Sequence, residues 1–87
     1  MKELSFTVKD PAGLHARPAG LLVKEAQRLS DNVTICKGER TADLKKLLAV
    51  MGLGIRHGET VIIRIEGKDE EASLRHLESV LKETFGN

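Results

Sequence analysis

His15 and Arg17 stand two residues apart in the stretch GLHARPA, Gly13 to Ala19, just ahead of a helical pattern. A helix start usually carries Ser, Thr, Asp or Asn as its cap, and this stretch has none of them. If the helix begins near Ala16, the backbone N–H groups of Ala16 and Arg17 are among its unsatisfied donors and carry the positive end of the helix dipole. Such a place attracts an anion, and phosphate above all, because its several oxygens accept several donors. Imidazole switches between base and acid near neutral pH and can form a covalent intermediate as a nucleophile. A positive helix end disfavours the imidazolium and keeps a ring nitrogen free to attack. Arg17 offers a permanent charge that forks onto phosphoryl oxygens, where charge spreads during transfer. Gly13 permits a bend that brings the backbone close, and Pro18 fixes the first helical turn. The stretch therefore reads as a phosphohistidine site needing no metal of its own. Against this stands the plain alternative that a histidine and an arginine at a loop–helix junction are solvated side chains.

Other chemistry-bearing residues are sparse. His57 lies in the turn RHGE, and His76 falls off the apolar stripe of the last helix; both read as solvated side chains. Neither has metal-ligand spacing to His, Cys or carboxylate residues, and no cofactor is expected. Asp69 to Glu71 read as charges at a helix start. Cys36, the only cysteine, reads as a small apolar strand residue; no intramolecular disulfide is possible, and a reduced, cytoplasmic setting fits.

The site has to be positioned by the elements around it. Leu4, Phe6 and Val8 alternate with Ser5 and Thr7, which predicts a strand with one buried face. Asp10 to Gly13, DPAG, breaks the chain. From Ala16 the period changes: Ala19, Leu22, Val23, Ala26 and Leu29 share one helical face, and the helix is expected to end near Ser30 to Asn32. Val33 to Lys37 predicts a strand, Gly38 and Glu39 a turn, and Glu39 to Ala42 a short returning strand. Asp43 to Gly54 reads as a short helix closed by glycine, and Thr60 to Gly67 as the strongest strand, with Val61, Ile63 and Ile65 on one side. Lys68 to Phe85 is an amphipathic helix with Leu74, Leu77, Leu81 and Phe85 buried and Ala72 and Val80 at the margin. The order β-α-β-β-α-β-α predicts an α+β domain, a four-stranded antiparallel sheet with helices on one face and polar Thr34, Arg64 and Glu66 turned to water on the other.

Composition bounds the rest. The 87 residues suit one domain, 1–87. Fourteen basic and thirteen acidic residues leave a net charge of +1, so no general attraction to nucleic acid or anionic lipid is expected. Two Phe and no Trp or Tyr leave no aromatic platform for stacking bases. The first ten residues alternate in polarity, unlike a signal peptide, and no apolar run approaches the ~20 residues that insertion across a bilayer requires.

The stretch GLHARPAGLLVKEA resembles the active-site segment of the HPr family, the histidine-containing phosphocarriers of the bacterial phosphoenolpyruvate:sugar phosphotransferase system. LKKLLAVMGLGIRHGETVII resembles that family's short helix, loop and fourth strand, and GKDEEASLRHLESVL its final strand-to-helix passage. The resemblance covers essentially the whole chain. It implies an open-faced β-sandwich, and a carrier that is not itself an enzyme. His15 would take a phosphoryl group on Nδ1 from phosphorylated enzyme I and pass it to IIA proteins or domains of sugar transporters. Arg17 would correspond to the phosphate-stabilising arginine.

A carrier must dock transiently with at least two proteins. The set Leu47, Leu48, Val50, Met51 and Leu53 is too apolar for a short surface helix; part of it should pack inward and the rest form an exposed patch. The resemblance favours Leu47, Leu48 and Met51 for docking, bordered by Gly20, Lys24 and Lys45. Many family members of Gram-positive type carry a regulatory serine at the start of the short helix, phosphorylated by HPr kinase/phosphorylase. Here that place is Lys46, which has no hydroxyl, so regulation by that kinase is not expected there; Thr41 is a poor substitute, lying in a strand. Two other readings stay open: a paralogue serving a regulatory, nitrogen-type phosphorelay through the same His15, and a binding-only module, against which His15 and Arg17 together argue.

Overall fold

The computed structural model describes residues 1–86. The elements run β1 (Lys2–Thr7), α1 (Ala16–Gln27), β2 (Asn32–Lys37), β3 (Arg40–Asp43), α2 (Leu47–Met51), β4 (Thr60–Glu66) and α3 (Glu70–Phe85). Four strands form one sheet in the order β1-β4-β2-β3, with every neighbouring pair antiparallel. β4 is central because its inward residues are apolar without interruption. Val61, Ile63 and Ile65 are fully buried while Ile62, Arg64 and Glu66 face the open side, the period-two pattern of a strand covered on one face. Ile63 stands opposite Leu4 on β1 and Ile35 on β2.

The helices cover the face that these residues present. Ala19, Leu22, Val23 and Ala26 of α1 and Leu77 and Leu81 of α3 meet Phe6, Val33, Ile35 and the β4 triplet in one core. The Val, Leu, Ile and Phe side chains among them each contribute roughly 1.5–3 kcal/mol through burial. Phe6 and Phe85 tilt against each other at 6.1 Å between ring centroids. Cys36 is buried in β2 with its thiol free.

All three helices differ at an end from the sequence expectation, each for a local reason. α1 ends at Gln27, not near Ser30 to Asn32; the Arg28 and Leu29 N–H groups bond back to Glu25 and Ala26. Leu29 then packs against the core from beyond the helix. α2 spans only Leu47–Met51, because Asp43 still belongs to β3 and Leu44 is drawn inward by its own N–H, which donates to the Val33 carbonyl at 2.9 Å. The Lys45 N–H donates to Asp43 Oδ1 and the Lys46 N–H to the Asp43 carbonyl, a turn that separates β3 from α2. α3 starts at Glu70, and its buried stripe takes in Ser73 while Ala72 stays exposed. Ser73 is buried because its hydroxyl donates to Asp31 Oδ2 at 2.9 Å; Asp31, itself 4% exposed, also accepts the Asp69 N–H. A buried carboxylate is tolerated where such donors meet it.

Candidate functional site

The segment Val8 to Leu14 delivers the chain to α1, and its shape is set by the loop between α2 and β4. Val8 exchanges two backbone bonds with that loop, accepting from Gly58 and donating to Glu59, and the Leu14 N–H donates to the Ile55 carbonyl at 3.0 Å. Gly13 lies flat on this loop at φ 74°; a Cβ there would stand 2.7 Å from the Ile55 carbonyl oxygen. The supporting loop is braced in turn. Glu59 Oε1 accepts the Arg56 N–H at 2.6 Å and pairs with Lys37 Nζ at 3.2 Å. The Arg56 N–H, chiefly, and Lys37 hold the Glu59 carboxyl below its ordinary value.

His15 is the residue immediately before α1, with extended backbone at φ −83° and ψ −176°. Its carbonyl accepts the first intrahelical bond, from Ala19 at 3.0 Å, and no side chain caps the helix. Among the described residues the Ala16 and Arg17 N–H groups have no acceptor, as the motif predicts for an open helix start. The imidazole is about half exposed, its Nε2 stands 3.3 Å from Asp10 Oδ2, and Nδ1 has no hydrogen bond among the described residues. Asp10 is fixed by its other oxygen, which accepts the Ala12 N–H at 2.9 Å. That bond first, and the contact with His15 second, hold the Asp10 carboxyl below its usual value of 3.8. Arg17 is exposed in the first turn, with no hydrogen bond or ion pair to its side chain among the described residues.

Asp10 is the residue that sequence reasoning missed. It reads as one member of the turn DPAG, and only the fold of the turn brings it to a histidine five positions on. Leu21 was missed too: it is 48% exposed, and the spacing that places Arg17, Gly20, Leu21 and Lys24 on one face of α1 could have found it.

The candidate docking residues divide. Leu48 is 87% exposed and Leu47 37%, while Val50 and Leu53 are buried and Met51 is half-buried against the core. Lys24 is exposed on α1. Lys45 is a structural clasp: its Nζ donates to the Leu29 carbonyl at 2.6 Å, and its own carbonyl accepts from Gln27 Nε2 at 2.8 Å. The pair ties the end of α1 to the turn before α2. Gly20 has open space around it. Thr41 lies in β3, and Lys46, exposed, caps α2 with no side-chain bond. His57 is exposed, but His76 is not simply solvated, as its Nε2 stands 2.7 Å from Glu25 Oε1 and so joins α3 to α1. Among the described residues no cluster of His, Cys, Asp and Glu could hold a metal ion, and no helix is long and apolar enough to cross a membrane.

Residues 2–83 match the family described as PTS HPr component phosphorylation site. The phosphocarrier protein HPr of Lysinibacillus sphaericus is 40% identical over 83 residues, 95% of this chain and 94% of that one. Among solved structures, a Mycoplasma histidine-containing phosphocarrier protein superposes with a TM-score of 0.90 at 34% identity, covering 95% of this chain and 94% of its own. HPr of Thermoanaerobacter tengcongensis superposes with a TM-score of 0.88 at 34% identity, covering 100% and 98%. With the histidine at an open helix start and the same fold around it, the chain belongs to the HPr family, the phosphocarrier proteins of the phosphoenolpyruvate:sugar phosphotransferase system.

Proposed function

We propose that His15 is the residue that carries the phosphoryl group, received from phosphorylated enzyme I and passed to IIA proteins or domains of sugar transporters. The observation that carries this reading is His15 standing uncapped at the start of α1 with its Nδ1 unbonded. The Nδ1 lone pair attacks phosphorus; the P–Nδ1 bond forms as the bond to the donor breaks, and that bond's electron pair leaves with the donor. The proton on Nε2 stays in place, so the step needs no base. The Ala16 and Arg17 N–H groups and the Arg17 guanidinium meet the charge on the phosphoryl oxygens. The return step to a IIA protein is the same displacement with the ring as leaving group, so the chain is consumed and regenerated as a substrate of its partners.

The exposed apolar side chains Leu47 and Leu48 on α2, with Met51 at their edge, form the docking surface; Gly20 gives a partner close approach to α1, and Lys24 and Lys45 border it. α2 itself, Leu47–Met51, contains no hydroxyl, and Lys46 precedes it, so a kinase acting on a serine at that helix start has no acceptor here.

The test is incubation with enzyme I, magnesium and phosphoenolpyruvate. The expected product is one acid-labile phosphoryl group on His15, absent from His15→Ala. A wild-type protein left unmodified by a cognate enzyme I overturns the reading.

A further inference from the structure

We propose that Asp10 is a positioning residue for phosphoryl transfer: its carboxylate holds the proton of His15 on Nε2, which directs phosphorus to Nδ1 and stabilises the phosphorylated ring while it remains cationic. The inference rests on His15 being the phosphorylated residue. The geometry is specific. One carboxylate oxygen is occupied by the Ala12 N–H at 2.9 Å, and the other faces Nε2 at 3.3 Å. A carboxylate is only an acceptor, so the ring nitrogen it faces must be the one that bears hydrogen, and Nδ1 is left with its lone pair. The Gly13 N–H donates to the Asp10 carbonyl at 2.8 Å, which closes the turn and sets the carboxylate independently of the histidine.

Once phosphorus is on Nδ1, the ring is a good leaving group only while Nε2 keeps its proton; a neutral phosphoimidazole would have to depart as an anion. A carboxylate beside Nε2–H favours the protonated, transferable form. The other charged groups at this place are Arg17 on the first turn of α1 and Arg56 and His57 on the loop beneath Gly13, with His57 acting on Asp10 through its charge. None of them is an acceptor for Nε2–H in its charged state, so the anionic role falls to Asp10.

Asp10→Asn separates charge from shape, because its amide oxygen can still accept the Ala12 N–H and close the turn. Imidazole ¹⁵N shifts of His15 in the unphosphorylated protein read the tautomer directly. We expect wild type to be Nε2–H and the Asn variant to show about a threefold larger share of Nδ1–H, the scale set by an exposed charged pair. After loading by enzyme I, the pH–rate profile for loss of the phosphoryl group should move to lower pH in the variant. An Nδ1–H tautomer in wild type, or a tautomer and pH profile unchanged by Asp10→Asn, overturns the role of Asp10. Failure of wild type to be phosphorylated would instead overturn the role of His15, and the ¹⁵N shifts would still decide the tautomer.

Discussion

On the proposed function, Arg17 meets a charge that grows as the transfer proceeds. In the resting protein its guanidinium is exposed and has no ion pair among the described residues. An arginine already bound to a carboxylate would have to give up that partner at each transfer. One held in water by the first turn of a helix needs only to swing onto the phosphoryl oxygens, and its fork matches them. Arg17→Ala is therefore expected to slow transfer from enzyme I by roughly ten- to a hundredfold, the worth of a hydrogen bond to a charged group. Thermal unfolding should show stability unchanged within about 0.5 kcal/mol, as for most exposed substitutions. A transfer rate equal to wild type removes Arg17 from the chemistry. His15 and Arg17 stand out in the motif because each residue type has few alternative uses at an uncapped helix start. Asp10 was not legible, because Asp before Pro already has a sufficient explanation as a turn residue. Its second role exists only once the turn has closed.

At the scale of elements, β4 and α1 were readable because their buried residues keep a strict period, and burial of that face decides the element. α2 was not, since Asp43, Leu44 and Lys45 fit a helical pattern as well as a strand end followed by a turn. The choice is made by Leu44 bonding to Val33 on β2, a contact no local pattern contains. The connections are held by carboxylates that accept backbone N–H groups, Glu59 from Arg56 and Glu70 from Gly67. For both, that bond is the main cause of a carboxyl held below the ordinary 4.5. A folded-state value lower than the unfolded one contributes stability that is complete above the unfolded value and is lost as pH falls through the folded one. The urea midpoint should therefore drop as pH falls below about 4.5, and Glu59→Gln should drop less over the same range. Parallel curves for wild type and Glu59→Gln would show that the loop beneath the site draws nothing from this charge.

For the molecule as a whole, the proposed function requires one histidine to be presented to more than one partner and then released. The fold meets it by placing α1 and α2 side by side, joined through Gln27, Lys45 and Leu29. One surface of α1 then carries Arg17, Gly20, Leu21 and Lys24, next to a short helix that exposes Leu47 and Leu48. A leucine 87% exposed contributes almost nothing to folding, and with the exposed Leu47 beside it on α2 it supports the proposed docking surface. Buried anchors of transient interfaces cost more than about 1 kcal/mol when lost, a five- to tenfold change in affinity. Leu48→Asp is thus expected to raise the concentration needed for half-maximal transfer from enzyme I by roughly tenfold. Its unfolding curve should match wild type, and once loaded it should lose its phosphoryl group to water at the wild-type rate. That combination separates docking from chemistry, because Arg17→Ala alters transfer through the reacting phosphoryl group itself. If Leu48→Asp leaves the concentration dependence unchanged for both enzyme I and a IIA acceptor, the exposed leucine of α2 is not part of the surface that partners use.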